Sequence, residues 1–314
     1  MTDIILSIIA GLVLFLFAVT NLSDTLKAAL GDNANIWIKK YTSNSFSSLL
    51  VGIVITTLLD SSSAVIIITI VLVNSKILSF RQAMGIVLGA NIGTTVSSQI
   101  IAMDVGKYSP IFLLIGFVLL FIAKTEKINN IGKTILYFGV LFFGLYTMEN
   151  AVEPLKDEAF FNEWMKKTEN PFLGAIIGAI VTLVIQSSSA TVGMAIILSK
   201  KGLISLTGGI AVMLGAELGT CSDTLLATIK GSRQALKTGL FHVTFNLLSI
   251  VLGLILFYPF IELVKYISSG ASVERTVANA HMIFNIAGVL IFIWTIPFFE
   301  KVLNKILPDK VEMA

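Results

Sequence analysis

Shifting the chain by 126 residues lays it on itself without a gap, so the fold must accommodate two copies of one unit. The shift pairs Thr42, Asn44, Phe46, Gly52 and Thr56 with Thr168, Asn170, Phe172, Gly178 and Thr182. It pairs Ser61-Ser62-Ser63-Ala64 with Ser187-Ser188-Ser189-Ala190, and Gly89, Ala90, Gly93 and Thr94 with Gly215, Ala216, Gly219 and Thr220. From 42 to 94, 17 of 53 positions are identical, polar residues among them. Shared apolar composition does not align polar residues, so this is an internal duplication.

The copies are written in membrane-like sequence. Apolar residues make up 55% of the 314 and charged residues 13%, against about 25% charged in soluble domains. Seven segments are long and apolar enough to span: about 3–22, 80–102, 108–124, 131–149, 205–229, 236–260 and 278–300. The first lacks a basic leader and an A-x-A-like cleavage site, so it reads as a retained span. The stretch 24–41 reads as an interfacial amphipathic helix. A lone Cys221 leaves no intramolecular disulfide or cysteine metal site. Nothing basic and aromatic suggests nucleic acid, and the implied partner is the lipid bilayer.

Two apolar runs do not fit as simple spans. Residues 46–75 would make a helix of about 45 Å against a hydrocarbon core of about 30 Å, and Asp60-Ser61-Ser62-Ser63 breaks the run at its centre. The run 172–199 is broken likewise at Gln186-Ser187-Ser188-Ser189. Each half reaches the midplane and no further. The economical reading is two re-entrant helical hairpins, with irregular backbone tolerated beside a cavity. The competing reading is a long kinked span whose serines pack on a neighbour.

The expected fold class is therefore an all-α membrane protein of two inverted-topology repeats, with about seven spans plus two hairpins. Repeat 1 covers 1–126 and repeat 2 covers 127–262. Residues 263–314 form an extra span and a short tail. One span, a hairpin and two spans make an odd number of crossings, so the second copy inserts upside down. With the N-terminus outside, 14 Lys/Arg fall on inner loops and 8 on outer ones, which predicts a cytoplasmic C-terminus in the cell membrane. Lys27, Lys39, Lys230 and Lys310 are among the inner residues, and Asp157 belongs to an acidic outer loop.

At a hairpin tip, the second half-helix presents N–H groups without intrahelical partners and a partial positive charge. Serine hydroxyls add donors for an oxyanion and acceptors for a small cation. Two facing tips suit a compact multi-oxygen anion such as phosphate. The Gly-rich elements at 89–94 and 215–220 either pack helices closely or line the cavity. On the second reading, Asn91, Thr94 and Thr95 sit near one broken turn. Asp60, Glu217 and Asp223 are carboxylates within predicted membrane segments, which are functional by default. His242 and His281 share a His-x-x-Phe-Asn pattern and are read as bonding a neighbouring helix, with a proton relay as the alternative. Gln99 and Asn21 are read as interhelical hydrogen-bonders.

Together, Asp60-Ser-Ser-Ser-Ala64, Gln186-Ser-Ser-Ser-Ala190 and Gly89-Ala-Asn-Ile-Gly-Thr-Thr95 resemble the duplicated signature of the type II sodium–phosphate cotransporters, over about residues 5–300. The resemblance implies Na⁺-coupled uptake of inorganic phosphate, with Na⁺ as coupling ion and no other cofactor. Carried over, it implicates Ser61, Ser62, Ser63, Ser187, Ser188, Ser189, Asn91 and Thr94 for phosphate. Asp60, Gln186, Glu217, Thr95 and Thr220 are assigned to Na⁺. Two positions depart from the family: Asp60 replaces its usual Gln, and Glu217 its frequent Asn. Ionised carboxylates repel phosphate and strengthen Na⁺ binding, so both are placed at cation or protonatable sites. The cytoplasmic helical domain of many bacterial relatives is expected to be absent. A homodimer is entertained as the assembly. Three competing functions are an H⁺-coupled or other-anion carrier, a channel or structural protein, and an intramembrane hydrolase using Ser188 with His242 or His281.

Overall fold

A computed structural model of the chain describes residues 2–30, 33–103, 105–229 and 231–308. Lys230, Lys310 and the side chains of Lys27, Lys39 and Asp157, used above to orient the chain, lie outside the described residues. The described residues form helices and no strand. In chain order these are α1 (Thr2–Leu30), α2 (Asn33–Tyr41), α3 (Ser45–Leu59), α4 (Ser62–Asn74), α5 (Phe80–Ile101), α6 (Ser109–Ile122), α7 (Glu126–Val152) and α8 (Ala159–Lys167). The second half continues with α9 (Pro171–Ile185), α10 (Ser188–Lys200), α11 (Leu206–Gly219), α12 (Cys221–Leu226), α13 (Arg233–Ile255), α14 (Phe257–Ile267), α15 (Val273–Phe292) and α16 (Ile296–Ile306).

Local sequence sets the helix starts. Asn44 caps α3 in a reciprocal box with Ser47, and Ser79 caps α5 in the same way with Gln82. At the corresponding places of the second copy, Asn170 caps α9 ahead of Pro171, and Ser205 caps α11. Each such cap contributes about 1 kcal/mol.

Five helical stretches among the described residues are long and apolar enough to cross a membrane: Thr2–Leu26, Phe80–Ile101, Glu126–Leu155, Arg233–Ile255 and Val273–Ile306. Two of the seven expected spans are different. The 108–124 segment is the 14-residue α6, only about 21 Å long. The 205–229 segment is interrupted at Thr220 between α11 and α12. Around that break the hydroxyls of Thr220, Ser222 and Thr224 donate to the carbonyls of Ala216, Gly219 and Cys221. Such bonds compete with the helical ladder.

The duplication is visible in the packing. In the first copy α3 lies along α5, and in the second α9 lies along α11. Glycines make both seams. A Cβ on Gly89 would strike the Leu49 carbonyl, and one on Gly215 the Ala175 carbonyl. These glycines therefore serve close helix packing. The first helices of the two copies, α1 and α7, pack on each other. Gly11 is set against Met148, and Gly144 against Phe15.

Buried side chains form two main clusters. One joins α1, α7, α10, α11, α14 and α15 around Phe142, Met213 and Phe284. The other joins α3, α4, α5, α13, α15 and α16 around Met84, Phe241 and Phe292. Outside them, large apolar side chains face outward, with Phe121 85% and Trp294 82% exposed. Surfaces of that kind belong in lipid. The chain is a multi-pass membrane protein.

Candidate functional site

The two serine triplets have the same backbone. Asp60 ends α3 at φ 50, ψ 32, and Gln186 ends α9 at φ 59, ψ 29. Both are left-handed, a conformation that stops a helix and is unusual without glycine. The next residues, Ser61 and Ser187, are extended and cap α4 and α10. Their hydroxyls accept from the N–H of Ala64 and Ala190, each at 3.2 Å. The first serine of each triplet is thus a cap. The second and third occupy the first helical turn, where backbone N–H groups lack carbonyl partners within the helix.

Tertiary packing brings both tips to one cavity of about 330 Å³. Asp60 and Ser61, Ser62 and Ser63 line it from the first copy. Gln186, Ser187, Ser188, Ser189 and Thr220 line it from the second. Nine of the thirteen sequence-assigned residues meet there. So do three that sequence reasoning missed: Thr20, Ser23 and Asp24 of α1. The first span was expected to end at residue 22, whereas α1 continues to Leu30. The available signal was the spacing of Thr20, Ser23 and Asp24, which places them on one helix face. Ser23 Oγ is buried and without a hydrogen-bond partner. No Lys or Arg lines the cavity among the described residues.

The first tip meets helices beyond it: Ser97 Oγ of α5 donates to Asp60 Oδ1, and Ser63 lies beside Asp223 of α12. The 126-residue shift pairs Asp60 with Gln186 and Ser97 with Asp223. The first copy thus has its acid at the tip and a serine on the neighbouring helix. The second copy has an amide at the tip and its acid on the helix beyond.

Four assigned residues are placed elsewhere. Asn91 Nδ2 donates to Val87 O at 2.9 Å, Thr94 Oγ1 to Ala90 O at 3.0 Å and Thr95 Oγ1 to Ile92 O at 2.7 Å. All three bonds stay within α5, which runs unbroken through the motif. The expected broken turn at 89–95 is therefore absent, and each side chain returns its polar atom to its own helix. Glu217 does not line the cavity. Its Oε1 lies 2.6 Å from His281 Nε2, and His281 Nδ1 lies 2.6 Å from Ser98 Oγ.

The other histidine makes a related junction. His242 Nδ1 is 2.8 Å from Thr224 Oγ1, and Thr224 is the counterpart of Ser98 under the same shift. Both histidines therefore bond a neighbouring helix, as their pattern suggested. The hydrogen-bond partners of both rings are residues other than Ser188. Gln99 Nε2 reaches Asn279 Oδ1 at 3.2 Å and so does bridge helices, whereas Asn21 Nδ2 returns to Phe17 O at 2.8 Å within α1.

Comparison with known proteins gives the geometry its context. The family model described as Na⁺/Pi-cotransporter matches residues 14–150 and again 144–305. "Uncharacterized protein YqeW" of Bacillus subtilis (strain 168) is 28% identical over 275 residues, covering 86% of this chain and 87% of that protein. "Putative inorganic phosphate export protein YjbB" of Escherichia coli (strain K12) is 23% identical over 265 residues, covering 83% of this chain and 48% of its own length. "Sodium-dependent phosphate transport protein 2B" of Homo sapiens is 32% identical over 136 residues, covering 39% of this chain and 19% of its own. No solved structure matches the chain.

Proposed function

The chain belongs to the Na⁺/Pi-cotransporter family, and from that membership and the serine cavity we propose that it couples Na⁺ entry to uptake of inorganic phosphate. The phosphate sits between the tips. The N–H groups of Ser62, Ser63, Ser188 and Ser189 face its oxygens from two helix N-termini, which favour anions. The hydroxyls of the same serines complete the shell.

One observation carries the coupling. The cavity offers an anion two helix N-termini and the six serines of the triplets, yet Asp60 also lines it, and no basic side chain does among the described residues. A carboxylate beside a phosphate repels it unless a cation is bound with it. Na⁺, a hard ion that takes oxygen ligands, supplies that charge, with Asp60, Gln186 and Thr220 as its ligands. Phosphate binding then requires Na⁺. The two copies act as inverted repeats with re-entrant tips, and access alternates as one moves against the other. The N-terminus lies outside and the C-terminus in the cytoplasm.

The test is uptake of labelled phosphate into proteoliposomes under an inward Na⁺ gradient, with K⁺ or choline as replacement. Uptake that needs Na⁺, and that falls when Asp60→Asn raises the Na⁺ requirement, supports the assignment. Uptake indifferent to Na⁺ overturns it. One relative's name says export, so the reverse gradient is measured too. A carrier that moves phosphate only outward under an inward Na⁺ gradient reverses the proposed direction.

A further inference from the structure

We propose that the cavity between α13, α14 and α15 binds an uncharged lipophilic alcohol or phenol, a compact molecule with an apolar body and one hydroxyl. The site is separate from the serine cavity, and no lining residue is common to the two.

Ser249 of α13 is 4% exposed, and its Oγ is buried without a hydrogen-bond partner. A buried hydroxyl left unpaired is costly. Inside a helix, serine and threonine commonly escape that cost by donating to the carbonyl four residues back. Thr238 of the same helix does so, to Gln234 O at 3.0 Å. Ser249 does not. Its Oγ faces Gly288 of α15 instead, where an added Cβ would lie 3.3 Å from it.

Ser249 and Gly288 both line a cavity of about 250 Å³. Its other walls are apolar, with Leu252 on α13, Phe260 and Leu263 on α14, and Phe284 and Ile291 on α15. Gly253 and Gly288 leave space there by contributing no side chain. Leu263 and Ile291 are half exposed, so the cavity opens onto the outward apolar surface that lipid covers.

Each property of the wall selects a property of the occupant. No charged side chain lines the cavity among the described residues. An ion there would lose its solvent and gain no partner, so the occupant is neutral. Water fits poorly, because it needs two to four polar partners and apolar cavities stay dry. Ser249 is the only polar side chain in the wall among the described residues. A hydrocarbon chain would fill the volume and leave Ser249 unpaired. An alcohol or phenol answers both needs: its body meets the leucines and phenylalanines, and its oxygen accepts from Ser249 Oγ. Mostly apolar walls with a few placed polar groups are the usual make-up of small-molecule sites. A cavity of about 150 Å³ holds benzene, so this one admits a ring with short alkyl groups.

The experiment is photolabelling of the purified protein in lipid nanodiscs with a diazirine-bearing alkyl phenol, and with the matching alkylbenzene that lacks the hydroxyl. Probe is counted per lipid, which removes differences in partitioning, and labelled residues are located by mass spectrometry. In wild type the phenol is expected to label the α13–α15 cavity at about tenfold lower concentration than the alkylbenzene, the scale of one hydrogen bond. Saturating phosphate is expected to leave that labelling unchanged. Ser249→Ala is expected to abolish the tenfold preference while the alkylbenzene still labels the cavity, which shows that the fold is intact. If Ser249→Ala does not fold, Gly288→Ala, which sets a methyl against Oγ, is expected to narrow the preference instead. Equal labelling by the two probes in wild type would mean that the cavity takes any hydrocarbon, and would overturn the proposal. So would a preference that survives the folded variant, labelling confined to other helices, or displacement by phosphate. None of these outcomes bears on whether the chain carries phosphate.

Discussion

Ser63, the last serine of the first triplet, lies beside Asp223, which belongs to the second copy just beyond the break at Thr220. The tip of one copy thereby abuts the other. If the hydroxyl and the carboxylate act together on bound phosphate, Ser63→Ala and Asp223→Ala are each expected to raise the phosphate concentration for half-maximal uptake by about tenfold, the scale of a polar contact with a charged group. The double variant is expected to be little worse than either single, because they remove one interaction. Additive losses would show that the two residues act separately.

The three serines of a triplet are expected to differ in kind. Ser61 and Ser187 have their oxygens on the N–H groups of Ala64 and Ala190. Ser61→Ala and Ser187→Ala should therefore cost about 1 kcal/mol of stability each, as caps do, seen as a lower melting temperature in detergent. Ser62→Ala and Ser188→Ala should leave the melting temperature nearly unchanged and raise the phosphate requirement several-fold. An affinity loss confined to the first serine of each triplet would contradict this division.

At the ends of α7 and α10, Glu149 Oε1 meets Lys200 Nζ at 2.7 Å and Lys201 Nζ at 3.2 Å, and Lys201 also meets Glu153 at 2.9 Å. Burial alone would lower the Lys201 pKa, but Glu153 and Glu149 outweigh it and hold the ammonium above its usual 10.5. A lysine pKa raised by folding adds stability that is complete below the unfolded value and is lost as pH rises through the folded one. The melting temperature of Lys201→Met should sit below wild type at pH 7 to 9, and the gap should close only above about pH 10.5. A gap that closes near neutral pH would assign the effect to another group.

The seams between α3 and α5 and between α9 and α11 leave no room for a side chain at Gly89 or Gly215. The obstacle is a backbone carbonyl, which cannot rotate aside as a side chain would. Gly89→Ala and Gly215→Ala are expected to destabilise by about 1–3 kcal/mol or more through overpacking, measured as lost melting temperature. Gly202→Ala tests the contrast: nothing lies within 4 Å of that position, so its cost comes from the positive φ alone. Equal costs at a seam glycine and at Gly202 would argue against the packing account.

Much of the site is legible in the amino-acid sequence. The repeat, the helix breaks at Asp60 and Gln186 and the caps that follow are local properties, visible as apolar periodicity, chain length and serine placement. Both triplets and Thr220 stand out in the sequence, and all line one cavity. The side-chain partners are not legible there. Glu217 resembles a cavity carboxylate because it stands in a motif, but its partner is a side chain far away in the sequence. Glu217 is turned to His281 while Thr220, three residues on, reaches the cavity. Asn91, Thr94 and Thr95 resemble an oxygen cluster for the same reason, and each spends its polar atom on its own helix.

The sequence by itself determined that this chain lives in a membrane, that it is a duplication, and where its short helices stop and restart. Those outcomes follow from hydropathy, periodicity and capping, which act over a few residues. Only the tertiary structure decided that the two triplets share a cavity, that Thr20, Ser23 and Asp24 of α1 join them, and that Asp60 meets Ser97 while Glu217 turns to His281. Those depend on how helices far apart in the chain rotate against one another. That rotation is set by glycine seams and buried hydrogen bonds, whose partners no local pattern names.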